Sequence, residues 1–288
     1  MILSQSTRGI VLMIAAMAAF ALADALVKLS ASDLLPAQVL LCLMGGGLFM
    51  FAFMAKWAGH RFRDPRAFSP VMLLRYLSEV VGMVSMVLAL THAPLSTVGA
   101  ITQATPILVV VGAVVFLGER VSWRRWTCIA IGFVGVLLIV QPGTAAFEPS
   151  VLWGVLAMVA LAVRDLTTRM VPADMPSTIM ATYTMIAAVP FPVLWLIVGG
   201  HPLLPQDANW GIIVPMILFG SVGYILLIAS IRMTDVSIVM PFRYSRIIFL
   251  FLLGVIVFDE QPNALMIVGA LLVVGSGIYM MMRQRLLG

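Results

Sequence analysis

Arg243, Tyr244 and Arg246 stand at the head of an almost unbroken apolar run, PFRYSRIIFLFLLGVIVFDE, at residues 241–260. A charge at the centre of such a run costs about 3 kcal/mol on insertion scales, so it normally faces a partner or a cavity. The run begins near residue 236, which sets Arg246 roughly 15 Å deep at 1.5 Å per helical residue, close to the middle of a lipid layer. Arg243, three residues earlier, shares its helix face and is shallow enough to snorkel towards the near surface. Glu79 has a similar depth in its own run, with Arg75 one turn earlier on the same face. Gln103, flanked by Thr102 and Thr105, adds polar groups at mid-depth in a third run. Arg243 and Arg246 suit an electronegative or hydrogen-bond-accepting part of a solute. Glu79 suits a cationic group or a coupling proton. Tyr244 points elsewhere on a helix than Arg243 and is free to pack. The competing account is internal neutralisation, with Arg75 and Glu79 as an ion pair and the threonines bonded to their own helices.

Two further acid–base dyads, Asp24/Lys28 and Asp165/Arg169, each place an acid four residues before a base. That spacing puts each dyad on one helix face. Either each pairs within its helix, which eases insertion, or the two latch alternate gates at opposite mouths. Arg164, beside Asp165, receives no role from spacing alone.

The elements that must position these groups follow from composition. The 288 residues are 62% hydrophobic and 10% charged, against about 25% charged in soluble domains. Ten apolar runs are long enough to span a bilayer: 9–29, 36–57, 71–91, 96–117, 122–141, 150–170, 176–198, 211–231, 236–257 and 263–282. The expected fold class is an all-α integral membrane protein of ten transmembrane helices, since lipid forces each span to pair its backbone internally. The net charge of +5 is asymmetric. Arg8, Lys56, Arg61, Arg63, Arg66, Arg120, Arg124, Arg125, Arg232, Arg283 and Arg285 fall on one side, while Asp33, Glu148, Asp207, Asp259 and Glu260 fall on the other with Lys28. This positive-inside pattern places both termini in the cytoplasm and needs no nucleic-acid partner. Arg8, the apolar run after it and Ala21-Leu22-Ala23 look like a cleavable signal peptide. Cleavage would remove one helix, so the run is read as the first span. Cys42 and Cys128 lie inside apolar runs and imply no disulfide framework. His60, His92 and His201 are scattered, so no metal site and no cofactor is expected.

The halves 9–141 and 150–282 match at a single offset of 141. Asp24 falls on Asp165, Lys28 on Arg169, Gly82 on Gly223, Ser96 on Ser237, Gln103 on Tyr244 and Glu119 on Glu260. A five-helix unit ends on the opposite side from its start, so a second copy is inverted, an architecture common among secondary transporters. Ala89-Leu90, Pro94-Leu95-Ser96, Pro106 and Phe116-Leu117-Gly118-Glu119-Arg120, with Gly254, Phe258-Asp259-Glu260 and the glycines near 269–277, resemble the drug/metabolite transporter superfamily in its ten-helix form with two EamA-type repeats. Asp259 replaces the glycine of the first half's Gly-Glu pair, and Ile247 stands opposite Pro106. The resemblance implies a transporter of small organic solutes.

No GxxxxGK[ST], G-x-S-x-G or H-E-x-x-H motif occurs, which argues against an ATP-driven pump and against the common hydrolases. An integral-membrane enzyme using Glu79 and arginine remains the alternative of another class. The resemblance implies uptake of a vitamin or heterocycle, riboflavin-like, in a bacterial-type inner membrane, with amino-acid or drug export as the alternative. Pro106, Pro190, Pro192 and Pro215 are expected to kink their helices. Gly45-Gly46-Gly47, Gly269, Gly275 and Gly277 are expected to serve close helix packing, within one chain or in a homodimer.

Overall fold

The computed structural model describes residues 5–60, 62, 64–117, 123–141, 147–172, 174–204, 208–233 and 240–287. The sequence features at Arg61, Arg63, Gly118, Glu119, Arg120, Asp207 and Ser237 lie outside the described residues, as do the side chains of Pro106, Arg124, Arg125, Arg169, Arg232, Arg283 and Arg285.

Twelve α-helices are described: α1 (Gln5–Ser30), α2 (Pro36–Trp57), α3 (Pro70–His92), α4 (Leu95–Thr102), α5 (Thr105–Leu117), α6 (Trp123–Val140), α7 (Val151–Met170), α8 (Ser177–Ala188), α9 (Pro190–Val198), α10 (Trp210–Met233), α11 (Ser245–Phe258) and α12 (Ala264–Leu287). Short 3-10 turns cover Pro65–Phe68 and Met240–Tyr244. Seven stretches are long and apolar enough to cross a membrane: Thr7–Ser30, Pro36–Trp57, Pro70–His92, Leu95–Phe116, Val151–Thr168, Ser177–Val198 and Trp210–Leu227. Trp126–Val140 and Ala264–Ser276 are shorter apolar helices.

Local chemistry explains the ends. Pro36 and Pro70 open α2 and α3, where a missing N–H costs nothing. The Ser69 hydroxyl accepts from the Met72 N–H, capping α3 at 3.3 Å. The α4/α5 break falls at Gln103–Ala104, just before Pro106, and the α8/α9 break falls at Val189, just before Pro190. Proline removes an intrahelical donor and crowds the preceding turn. Pro215 differs: α10 runs through it unbroken.

The exterior is greasy. Phe49, Phe116, Ile256 and Leu271 are largely exposed. Each of the six tryptophans is exposed and sits within four residues of a helix end. That placement fits the aromatic belts of membrane proteins, in which indoles favour the headgroup level. Inside, one large apolar cluster runs from Ala21 through Leu40, Leu95 and Ile101 to Leu250 and Val273.

Helices pair mostly across the chain's halves: α1 with α10, α3 with α7, α6 with α12, α2 with α8, α1 with α11, and α4 with α11. The α6–α12 pair is backbone against backbone. A Cβ on Gly135 would stand 2.7 Å from the Gly269 carbonyl oxygen, and one on Gly269 would stand 2.6 Å from that of Gly135. Gly269 thus does the packing expected of it, whereas a Cβ on Gly45 or Gly275 would meet nothing within 4 Å.

Candidate functional site

Six described elements supply the charged and neighbouring side chains in the middle of the bundle. α1 contributes Phe20 and Asp24, α3 Arg75 and Glu79, and α7 Arg164, Asp165 and Thr168. α10 contributes Tyr224. The Met240–Tyr244 turn and α11 contribute Arg243, Tyr244 and Arg246. The helices carry them there because their apolar faces pack. Gly82 lets α7 approach α3, since a Cβ there would lie 3.2 Å from Leu161. Gly223 lets α1 approach α10 in the same way, with Phe20 at 3.0 Å.

Asp24 forms a hydrogen-bonded ion pair with Arg246, whose guanidinium lies 5.5 Å from the Phe20 ring centre. Arg164 holds Asp165 through two donors, at 2.7 and 2.9 Å. A third reaches Glu79 at 3.3 Å. Arg75 stands 3.8 Å from Glu79, donates to the Thr168 hydroxyl at 2.9 Å and bonds the Thr184 hydroxyl. Arg243 has no hydrogen bond or ion pair among the described residues; Asp165 is the carboxylate whose charge it feels. Tyr244 is buried, as expected for a packing residue, yet its hydroxyl has no partner among the described residues. The Gln103 amide nitrogen and Arg246 Nε are likewise buried without partners among them. The Arg75/Glu79 ion pair is present as expected. Thr102 bonds the Val98 and Gly99 carbonyls of its own helix, whereas Thr105, at the start of α5, donates to the Thr102 carbonyl across the α4/α5 break.

In-helix pairing fails for Asp24 and Lys28. Asp24 takes Arg246 from α11, and Lys28 reaches the loop after α11. Lys28 Nζ donates to the Ala93 carbonyl at 2.7 Å and pairs with Glu260 at 3.0 Å, over the Phe258 ring. Glu260 also accepts the Leu95 and Ser96 N–H groups and the Ser96 hydroxyl, the last at 2.6 Å. Its carboxylate therefore caps the exposed donors of α4's first turn. Burial pushes the Glu260 carboxyl up, but the Ser96 and Leu95 donors and the Lys28 charge outweigh it and hold it below its ordinary value. A cavity of about 200 Å³ opens beside this latch, lined by Ser96, Thr97, Gln141, Glu148, Glu260 and Met266.

The opposite end of the bundle is tied by other groups. Arg66 bridges Asp64 and Asp174, each at 2.7 Å. His60 bonds the Thr178 hydroxyl at 2.9 Å, and Tyr183 bonds the Phe62 carbonyl. No group of three metal-ligating side chains occurs among the described residues.

The central residues that spacing left out are Arg164, Phe20 and Tyr224. Arg164's key partner, Glu79, is 85 positions away, and no pattern within one helix points to it. Glu260 was visible as the repeat mate of Glu119, as one of the acids on one side and in the Phe258-Asp259-Glu260 stretch, but nothing in the spacing pointed to Lys28 as its partner.

The EamA-like transporter family model matches residues 7–141 and again 148–283. An S-adenosylmethionine uptake transporter of Rickettsia felis is 26% identical over 75% of this chain and 72% of its own length. A pseudopaline exporter of Pseudomonas aeruginosa is 24% identical over 95% of this chain and 96% of its own. A riboflavin transporter of Brucella anthropi is 27% identical over 73% of this chain and 75% of its own. One solved crystal structure shares the fold, with a TM-score of 0.65 at 19% identity over 98% of this chain and 99% of that one.

Proposed function

This chain belongs to the EamA-like transporter family, and from that premise we propose that it is a secondary active transporter of a small polar organic metabolite, working by alternating access. The observation that carries this reading is the ring of seven charged side chains held at mid-depth among apolar helices, where the two halves of the chain meet. Intramembrane charges of this kind mark solute or ion paths.

The proposed frame is ten spans in two inverted units, 9–141 and 150–282. The packing supports it. At the offset of 141, α1 against α10 maps onto α7 against α3, and α1 against α11 maps onto α7 against α5. The Gly223–Phe20 contact maps onto Gly82–Leu161 residue for residue. With both termini cytoplasmic in a bacterial-type inner membrane, the Lys28–Glu260 latch closes the outer mouth, and Arg66, Asp174 and His60 tie the inner one. Asp24 and Asp165 anchor the arginines, Lys28 is the outer gate, and Arg169 is its proposed inner counterpart. Glu79 is the proposed site of a coupling proton.

The proposed solute is a flat, acceptor-rich heterocycle, riboflavin-like in those respects, taken up rather than released. Two relatives whose names state a heterocyclic solute support it. Export is the second reading, favoured by the exporter that matches nearly the full length.

The test is flux into proteoliposomes holding the purified chain, with labelled S-adenosylmethionine, riboflavin and a panel of amino acids. The expected result is saturable uptake and counterflow, lost in Arg243→Ala. Product formation in place of flux would instead point to an enzyme, and non-saturable flux to a channel.

A further inference from the structure

We propose that the central site engages its solute through a carboxylate docked on Arg243, an assignment that rests on the transport reading and narrows the solute class it allows. Among the described residues the charges do not balance without one. Arg75, Arg164, Arg243 and Arg246 face Asp24, Glu79 and Asp165, so four guanidinium groups meet three carboxylates. Asp24 holds Arg246, Asp165 and Glu79 share Arg164, and Glu79 with two threonine hydroxyls holds Arg75. Arg243 is the one left without a hydrogen bond or ion pair among the described residues.

A second observation points the same way. The Gln103 amide nitrogen, the Tyr244 hydroxyl and Arg246 Nε are buried with no partner among the described residues; Tyr244 is 2% exposed and Gln103 8%, while the Arg246 side chain is 23% exposed around its buried Nε. Buried polar groups left unpaired are rare and ask for an occupant. All three can donate, and two can do nothing else. They lie where helices are interrupted, Gln103 at the α4/α5 junction and Tyr244 and Arg246 where the 3-10 turn meets α11, and α4 packs on α11. A carboxylate brings acceptors and no donors. Its single charge matches the single surplus, whereas a phosphate carries about −1.5 to −2 at neutral pH and would overshoot. A cationic group finds every carboxylate of the cluster already held by arginine. Arg246 shares a face with Arg243 but is a positioning residue, committed to Asp24.

The test works with the solute still unidentified. In a chain with Cys42→Ala and Cys128→Ala, Thr168→Cys sets a thiol one turn from Asp165 on α7, and Phe20→Cys sets a second on the Asp24 side. Each purified variant, monodisperse in nanodiscs, is reacted with the anionic sulfonatoethyl and the cationic trimethylammonioethyl methanethiosulfonates. The ratio of the two rates is divided by that for 2-mercaptoethanol. The expected preference for the anion is about tenfold; Arg243→Gln removes most of it and Arg243→Lys keeps it. Nicotinate at millimolar concentration slows the labelling of Thr168→Cys, and its amide, nicotinamide, does not. The assignment is overturned by a ratio no higher than that of the free thiol, by a preference indifferent to Arg243→Gln, by thiols that neither reagent reaches, or by nicotinate giving no more protection than nicotinamide. Saturable flux without anion preference removes this assignment and leaves the transport reading; anion preference without flux of any solute does the reverse.

Discussion

Arg246→Ala strips Asp24 of the guanidinium bonded to it. The expected outcome is a loss of roughly 3–5 kcal/mol, the usual cost of leaving one member of a buried pair alone, read as a lower melting temperature in detergent. Asp24→Asn combined with Arg246→Gln removes both charges and should regain most of that stability while transport stays lost. A double variant as unstable as the single would show that the pair is not the cause. This contact joins residues 222 positions apart, and it shows how far the sequence reaches. Depth in an apolar run singled out Arg246, Glu79 and Gln103, but for Arg246 it assumed a helix from near residue 236, whereas α11 begins at Ser245 after a 3-10 turn. Partner choice needs the docking of one helix on another. Spacing therefore suggested Lys28 for Asp24, while the fold supplies Arg246. Arg164 stayed without a role for the same reason.

Helices meet here through small residues and end through borrowed caps. Gly269→Ala pushes a methyl group into the Gly135 carbonyl. Overpacking of this kind costs about 1–3 kcal/mol, and a melting curve should show it, whereas Gly275→Ala, with open space at its Cβ, should leave the curve unchanged. The latch gives a pH signature. Glu260 is held below its ordinary value in the folded chain, so its stabilisation is complete above the unfolded carboxyl's pKa of about 4.3. It is lost as pH falls through the lower folded value. Acid should thus lower the melting temperature of the natural chain. Glu260→Gln should melt earlier at neutral pH and lose much of that acid dependence; an equal acid response in both would remove the latch from the account. The broken helices were partly legible, because Pro106 and Pro190 mark the breaks that are seen. Asp259 shows a compensation that sequence comparison registers only as a departure: it takes the left-handed conformation, φ 52°, that a glycine adopts freely. Pro215 differs from Pro106 and Pro190, since α10 continues through it as one helix.

At the scale of the molecule, the offset of 141 was readable in the sequence, but the contacts that answer to it were not. Only the packed chain shows that matching glycines receive matching neighbours from the other half, Leu161 for Gly82 and Phe20 for Gly223. The proposed orientation has a direct check. In intact cells an impermeant maleimide should label Glu148→Cys and should reach Phe68→Cys only after the membrane is opened; the reverse pattern would invert the map. One more property follows from the carboxylate at the head of α4. Parting Lys28 from Glu260 also bares two backbone amides that the same carboxylate now covers. Such amides cannot be abandoned to hydrocarbon, so the mouth can unlock only where water stands ready to take them. The adjoining hollow, open beside Ser96, is the place for that water. Filling it with a bulky side chain at Thr97 should therefore hold the proposed gate shut without touching either of the residues that bolt it.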